Sequence, residues 1–266
     1  MARRPVKALD KAIRRRSLFG GSLLAVGGAG TGLLIDELLV PERPPPLDGG
    51  YAAAADQLGR LTHGGVRIHY RAETDAKVIA LTFDDGPKPD WTPRFLDVLD
   101  EADVPATFFL VGKNLVEHAD LLRGRLDRHE VGNHSWSHAD LATLDLAGVR
   151  NQLESTHDAI VKHTGRTPTL MRPPYGHLGG STVLAAVGMG YDIALWTRSV
   201  NERVFAGDSA GMAADLAETL HPGSIVLAHD VGHKGRLVTL GALPATIAGL
   251  KAKGYSFATV SELVAG

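Results

Sequence analysis

The sequence predicts an α/β fold, an irregular (β/α) barrel of about seven mostly parallel strands. Three observations carry that expectation. Short apolar runs alternate with amphipathic helical stretches, the pattern of βαβ units. Most positions in the runs are apolar, as in strands covered on both faces. Polar and ionisable residues cluster directly after five of the runs, at the strand ends where barrel folds keep their chemistry.

In order, strand-like runs occupy residues 78–83, 106–111, 130–132, 169–171, 192–196, 224–228 and 255–260. Helical spacing places Phe95, Val98 and Leu99 on one face of residues 91–101. Leu146, Val149, Leu153 and Ile160 make a second stripe over 145–163, and Gly165 stops it. Further helices are expected over 208–220 and 237–253. The folded domain spans 66–266, and no internal repeat is visible in it.

Residues 1–36 read as an export signal or membrane anchor. Seven Lys and Arg fill positions 3–16, followed by an uncharged apolar stretch from Ser17 to Ile35. Arg15-Arg16-Ser17-Leu18-Phe19 resembles the twin-arginine type. Six glycines make the stretch a poor permanent anchor, yet no small-x-small cleavage site follows Ile35 at once, so an uncleaved anchor stays open. Residues 37–65 read as a linker, with four prolines and two glycines between Pro41 and Gly50. The domain is thus expected outside the cell, secreted, wall-associated or anchored, touching membrane only through its N-terminal segment.

Composition narrows the chemistry. The chain of 266 residues has no cysteine, which excludes disulfides, thiolate nucleophiles and Cys-zinc sites. A metal would need His and carboxylate ligands. Removing residues 1–36 leaves 21 basic and 28 acidic residues, the wrong balance for a nucleic-acid partner. A neutral polymer or small molecule fits better, and a monomer is expected.

The strand ends then supply the candidates. Asp84-Asp85-Gly86-Pro87 follows the first run, and two carboxylates at the mouth of a buried strand need a compensating metal, arginine or shared proton. Consecutive strand residues point to opposite faces, so both can serve one site only if strand geometry has ended at Asp84. Asn133-His134-Ser135-Trp136-Ser137-His138 follows the third run, Arg172-Pro173-Pro174-Tyr175-Gly176 the fourth, Thr197 to Glu202 the fifth and His229-Asp230 the sixth. His134 and His138, at i, i+4, could share one face of a helical turn. With 12 His such a pair arises by chance, and His229 with His233 is a second, but Gly232 and Gly235 argue against a helical turn there. His63, His69, His118, His129, His157, His163, His177 and His221 read as surface or helix residues.

Together these residues equip metal-assisted hydrolysis of a carbonyl compound. Two imidazoles and a carboxylate make a three-ligand set for catalytic zinc. A second carboxylate beside it can act as base, a cation such as Arg172 can hold that base ionised, and a His at another strand end can be a general acid.

Thr82-Phe83-Asp84-Asp85-Gly86-Pro87, His134-Ser135-Trp136-Ser137-His138, Arg172-Pro173-Pro174-Tyr175 and Leu227-Ala228-His229-Asp230 resemble, in order, the motifs of NodB-homology polysaccharide deacetylases, carbohydrate esterase family four. The first two are highly specific together, and the similarity spans residues 77–264. The resemblance implies a distorted (β/α) barrel that removes N- or O-acetyl groups from glycans with a divalent metal, usually zinc. It implies Asp85, His134 and His138 as metal ligands, Asp84 as general base and Arg172 as its orienting cation. The Tyr175 backbone N–H would stabilise the oxyanion, His229 would be general acid, and Pro173, Trp196 and Leu227 would line the acetyl pocket. One motif departs. The family's Asp-Trp pair after the fifth run is absent, and Glu202 is the nearest acidic stand-in as partner of the general acid, with Asp230 a second candidate. The expected activity is hydrolysis of acetyl groups on a glycan such as peptidoglycan or chitin oligomers. The alternatives are a catalytically impaired wall-binding protein on the same scaffold and an amidase acting on a non-sugar amide.

Overall fold

The computed structural model describes residues 65–265. The expected export signal over 1–36 and all of the linker but Gly65 lie outside the described residues. Among the described residues, no helix is long and apolar enough to cross a membrane.

All seven expected strands are present. They are β2 (Val78–Asp84), β3 (Thr107–Leu110), β4 (Glu130–Asn133), β5 (Leu170–Met171), β6 (Asp192–Ala194), β8 (Ile225–His229) and β9 (Ser256–Phe257). Two more, β1 (Ile68–His69) and β7 (Arg198–Ser199), were not foreseen, because two exposed or polar residues leave no apolar run. Eight strands pair in the order β1-β6-β5-β4-β3-β2-β8-β7, every neighbour parallel, and β9 pairs with the start of β2. The row curls into an incomplete barrel with helices packed against it, the distorted (β/α) architecture anticipated.

Among the described residues the α-helices are α1 (Thr92–Ala102), α2 (Gly112–His118), α3 (Leu146–Thr164), α4 (Gly180–Met189), α5 (Ser209–Thr219), α6 (Leu237–Ala252) and α7 (Val260–Ala265). The stripe read on α3 is its buried face: Val149, Leu153 and Ile160 are buried. Its ends follow the sequence too. Asp145 caps the N-terminus by accepting from Gly148 N at 2.7 Å, and Gly165 closes the other end at φ 70°. Helix α2 escaped notice because it buries only Gly112 and Leu115, and α4 because it is apolar all round and shows no stripe. Val260 starts α7 instead of ending a strand.

Strand β2 sorts the core. Ile79, Leu81 and Phe83 pack outward among Phe95, Leu96, Leu99 and Phe108, with Phe83 ring centroids 5.1 Å from Phe95 and 5.3 Å from Phe108. Ala80 points the other way, into an inner cluster with Phe109, Leu170, Ala194 and Ile225. Alternation carries Thr82 and Asp84 along the same inner row. The strand does not end at Asp84. Asp84 still pairs with Phe109 and His229, and the break comes one residue later, at Asp85 with φ 81°.

His129 is a correction of another kind: it is buried, not on the surface. Its Nδ1 accepts from Ala106 N at 3.1 Å, and its ring meets Phe108 edge-on at 5.4 Å. Burial pushes the imidazole pKa down to about 4, against a smaller pull from Asp100. The ring is therefore neutral in the folded chain, while the unfolded chain takes up a proton below about pH 6.5. Stability is expected to fall as pH drops from about 6.5 to about 4, by at most about 3 kcal/mol from this residue. Urea unfolding at pH 7 and pH 4.5 should show a smaller pH-dependent loss for His129→Gln than for the parent; equal losses would contradict it.

Candidate active site

Thr82 and Asp84 bring a hydroxyl and a carboxylate into the barrel interior, where Arg172 meets them. Arg172 stands just beyond β5 and is fully buried. Its Nη1 donates to Asp84 Oδ1 at 2.7 Å and Thr82 Oγ1 at 2.8 Å. Its Nε and Nη2 donate to the carbonyls of Ala194 and Leu195, each at 2.9 Å. The guanidinium carbon lies 4.1 Å from the Phe109 ring centroid. Burial lowers the Arg172 pKa, and Asp84 opposes that shift.

Asp85, His134 and His138 gather beside Asp84, each offering a ligand atom within 4.8 Å of the others. His138 Nε2 is 3.1 Å and His134 Nε2 3.6 Å from Asp85 Oδ1. His134 Nε2 is also 3.6 Å from Asp84 Oδ2. The histidines do not share a helical turn, however. They lie in a loop after β4 in which Ser135 and His138 take φ of 65° and 58°. His134 Nδ1 donates to the Arg172 carbonyl at 2.7 Å, which leaves the Nε2 lone pair aimed at the carboxylates.

This donor set fits a divalent metal. Asp85 Oδ1 is buried, and no hydrogen bond of good geometry reaches it, although two imidazole nitrogens stand close by. Burial raises the Asp85 pKa, but His138, His134 and His229 outweigh it and hold the carboxyl well below the usual range. Burial lowers the His134 pKa, with Asp84 and Asp85 opposing. Asp85 beside His138 raises the pKa of that ring against its partial burial.

The remaining expected residues border the same place. His229 ends β8 opposite Asp84 in the ladder, and burial lowers its pKa against the charge of Asp84. Tyr175 is 61% exposed at φ 62°, and its ring lies 4.8 Å from that of His138. Trp196 packs against the next residue: a Cβ on Gly176 would meet its ring at 2.7 Å. Pro173 and Leu227 are buried. The sequence left the partner of His229 open, and neither candidate bonds to it. Glu202 Oε1 stops 4.0 Å from His229 Nδ1 and accepts instead from Thr239 Oγ1 at 3.4 Å. The Asp230 carboxylate lies against Gly86, where a Cβ would meet Oδ2 at 2.4 Å. Burial lifts its pKa to about 7.

Several positioning residues escaped the sequence reading. Asn114 Nδ2 donates to the Asp85 carbonyl at 2.7 Å, and Arg236 Nη1 to Asp85 Oδ2 at 3.1 Å. Gln152 on α3 accepts from the backbone N of Trp136 and of Ser137, each at 3.0 Å. Asn133 accepts from Ser135 N at 3.0 Å and donates to the Leu153 carbonyl at 2.8 Å. Only Asn133 carried a signal, as the polar residue directly before His134.

Residues 71–194 match the family model described as Polysaccharide deacetylase. The peptidoglycan-N-acetylglucosamine deacetylase PgdA of Listeria monocytogenes is 38% identical over 195 residues, 73% of this chain and 40% of that protein. The chain thus spans well under half of that relative's length. A peptidoglycan-N-acetylglucosamine deacetylase of Bacillus cereus is 32% identical over 74% of this chain and 92% of its own length. The crystal structure of the Bc1960 peptidoglycan N-acetylglucosamine deacetylase aligns with TM-score 0.70 at 28% identity, covering 74% of this chain and 92% of that one. BA3943, a pseudoenzyme of carbohydrate esterase family four from Bacillus anthracis, aligns with TM-score 0.67 at 26% identity over 80% of this chain and 81% of its own, so fold alone does not carry catalysis. On fold, ordered motifs and these matches together, the chain belongs to the polysaccharide deacetylase family of NodB-homology proteins, carbohydrate esterase family four.

Proposed function

We propose that the chain is an exported, zinc-dependent deacetylase that hydrolyses N-acetyl groups of a cell-wall glycan, with peptidoglycan as the first candidate. The observation that carries this reading is the convergence of Asp85 Oδ1, His134 Nε2 and His138 Nε2 beside Asp84, which Arg172 clamps. The peptidoglycan deacetylases among its relatives support the substrate class. The basic-then-apolar residues 1–36 support export.

Asp85, His134 and His138 would hold the ion. Such an ion supplies Lewis acidity, polarising the acetyl carbonyl and acidifying water. Asp84 has one oxygen tied to Arg172, so its Oδ2 is the atom placed to take the proton of an attacking water. The Tyr175 N–H would donate to the oxyanion, a contribution of about 3 kcal/mol in comparable sites. His229, on the neighbouring strand, would protonate the departing sugar nitrogen. Leu227, Trp196 and Pro173 would receive the acetyl methyl, where exclusion of water strengthens every charge interaction.

The alternative of an impaired scaffold draws on one observation, the unpartnered Nδ1 of His229. Full-length protein stripped with chelator should release no acetate from peptidoglycan or chitooligosaccharide, and zinc should restore release. Asp84→Asn should lower kcat about 10² to 10⁴-fold with bound zinc unchanged, whereas Asp85→Ala should lose the zinc itself. Zinc-loaded protein that releases nothing from any acetylated glycan would favour the impaired scaffold. Turnover of small acyl amides alone would favour an amidase. Replacing Arg15 and Arg16 by Lys should retain the protein in the cytoplasm, and unchanged export would contradict the twin-arginine assignment.

A further inference from the structure

A cavity opens beside the candidate catalytic groups, and its charge is opposite to that of the domain around it. It holds about 320 Å³ and is lined by Glu202, Arg203, Ala206, His233, Gly235 and Arg236. Residues 37–266 carry 21 basic and 28 acidic residues, yet here two arginines and a histidine face a single carboxylate. Two of the walls belong to the site already described. Arg236 Nη1 stands 3.1 Å from Asp85 Oδ2, and Glu202 Oε1 stands 4.0 Å from His229 Nδ1. A group seated in the cavity would therefore lie beside Asp85 and His229.

The members are not equally engaged. Arg236 is committed to Asp85 and to the Val231 carbonyl at 2.7 Å. Glu202 is held by Thr239. His233 Nδ1 accepts from Gly235 N at 3.0 Å, which leaves its Nε2 free to turn to a ligand. Arg203 is exposed and, among the described residues, has no hydrogen bond or ion pair. It rides on a turn that Asn201 pins, its side chain accepting from Val204 N at 3.2 Å. This is the stretch in which the sequence departs from the family's Asp-Trp pair.

We propose that the cavity is a subsite for a carboxylate carried by the substrate, and that Arg203 is its specificity-determining residue. The inference rests on the deacetylase reading and narrows its substrate to acidic glycans. A planar guanidinium matches a carboxylate through two parallel hydrogen bonds, and a neutral N-acetylglucosamine polymer offers no such group. Wall glycan carries carboxylates from two sources, the lactyl ether of muramic acid and the peptide stem.

The test measures acetate release by the full-length, zinc-loaded protein from three substrates: chitotetraose, peptide-free wall glycan with free lactyl carboxylates, and the same glycan with peptide stems. Arg203→Ala is expected to raise KM about tenfold on a carboxylate-bearing glycan, with kcat and the chitotetraose KM unchanged. Arg203→Lys should recover part of the loss, and 0.5 M NaCl should shrink the difference. A loss confined to the peptide-free glycan identifies the lactyl group, and one confined to the stemmed glycan identifies the peptide. Equal loss on chitotetraose, or no loss on either acidic glycan, overturns the subsite and leaves the deacetylase reading standing. Release from none of the three overturns the deacetylase reading and the subsite with it.

Discussion

The ion pair between Arg172 and Asp84 is the interaction on which the rest of the barrel depends. A guanidinium taken wholly out of water costs several kcal/mol unless every donor finds a partner. Here the partners come from several elements. Thr82 and Asp84 belong to β2, Phe109 to β3, and the Ala194 and Leu195 carbonyls to β6 and the residue after it. The Arg172 carbonyl in turn accepts from His134 beyond β4. A single residue thus braces the barrel interior and fixes one oxygen of the candidate base through its side chain, and sets the tautomer of a candidate metal ligand through its carbonyl. Its pairing with Asp84 also explains why the inner row of β2 changes from Ala80 to a hydroxyl and then a carboxylate.

Backbone strain gathers around that brace. Six non-glycine residues among those described have positive φ, and four of them, Asp85, Ser135, His138 and Tyr175, sit at the site. Each such conformation costs about 1–3 kcal/mol and persists only where the surroundings over-determine it. Those surroundings are visible: Asn114 holds the Asp85 carbonyl, Asn133 holds Ser135 N, and Gln152 holds the amides of Trp136 and Ser137. At Asp85 the strain has a direct use. A regular strand would turn Asp85 away from Asp84, and the left-handed residue brings both carboxylates within 3.6 Å of His134 Nε2.

Much of this was legible in the sequence because the periodicities involved are short. The runs that became β2 to β6, β8 and β9 were short and mostly apolar, and the polar residues at the ends of five of them marked the site. The α3 stripe, with Asp145 before it and Gly165 after it, fixed that helix within a residue or two. What stayed hidden is what periodicity does not encode. β1 and β7 are pairings of two residues each, made by their neighbours and not by their own side chains. The conformations of Ser135 and His138 replaced an expected helical turn, since i, i+4 spacing brings two rings together in a strained loop as well as on a helix. Arg236, 151 residues from Asp85, and Asn114, 29 residues away, reach the site only through the fold.

The brace itself is open to a direct measurement. A double-mutant cycle on unfolding free energy, with Arg172→Met and Asp84→Asn singly and together, isolates the pair from its surroundings. Each single change leaves a buried charge without its counter-charge, while the double change removes both charges. The account predicts that the double variant loses at least about 2 kcal/mol less than the sum of the singles. Losses that add to within about 0.5 kcal/mol would show that the two side chains stand in contact without depending on each other, and would contradict it.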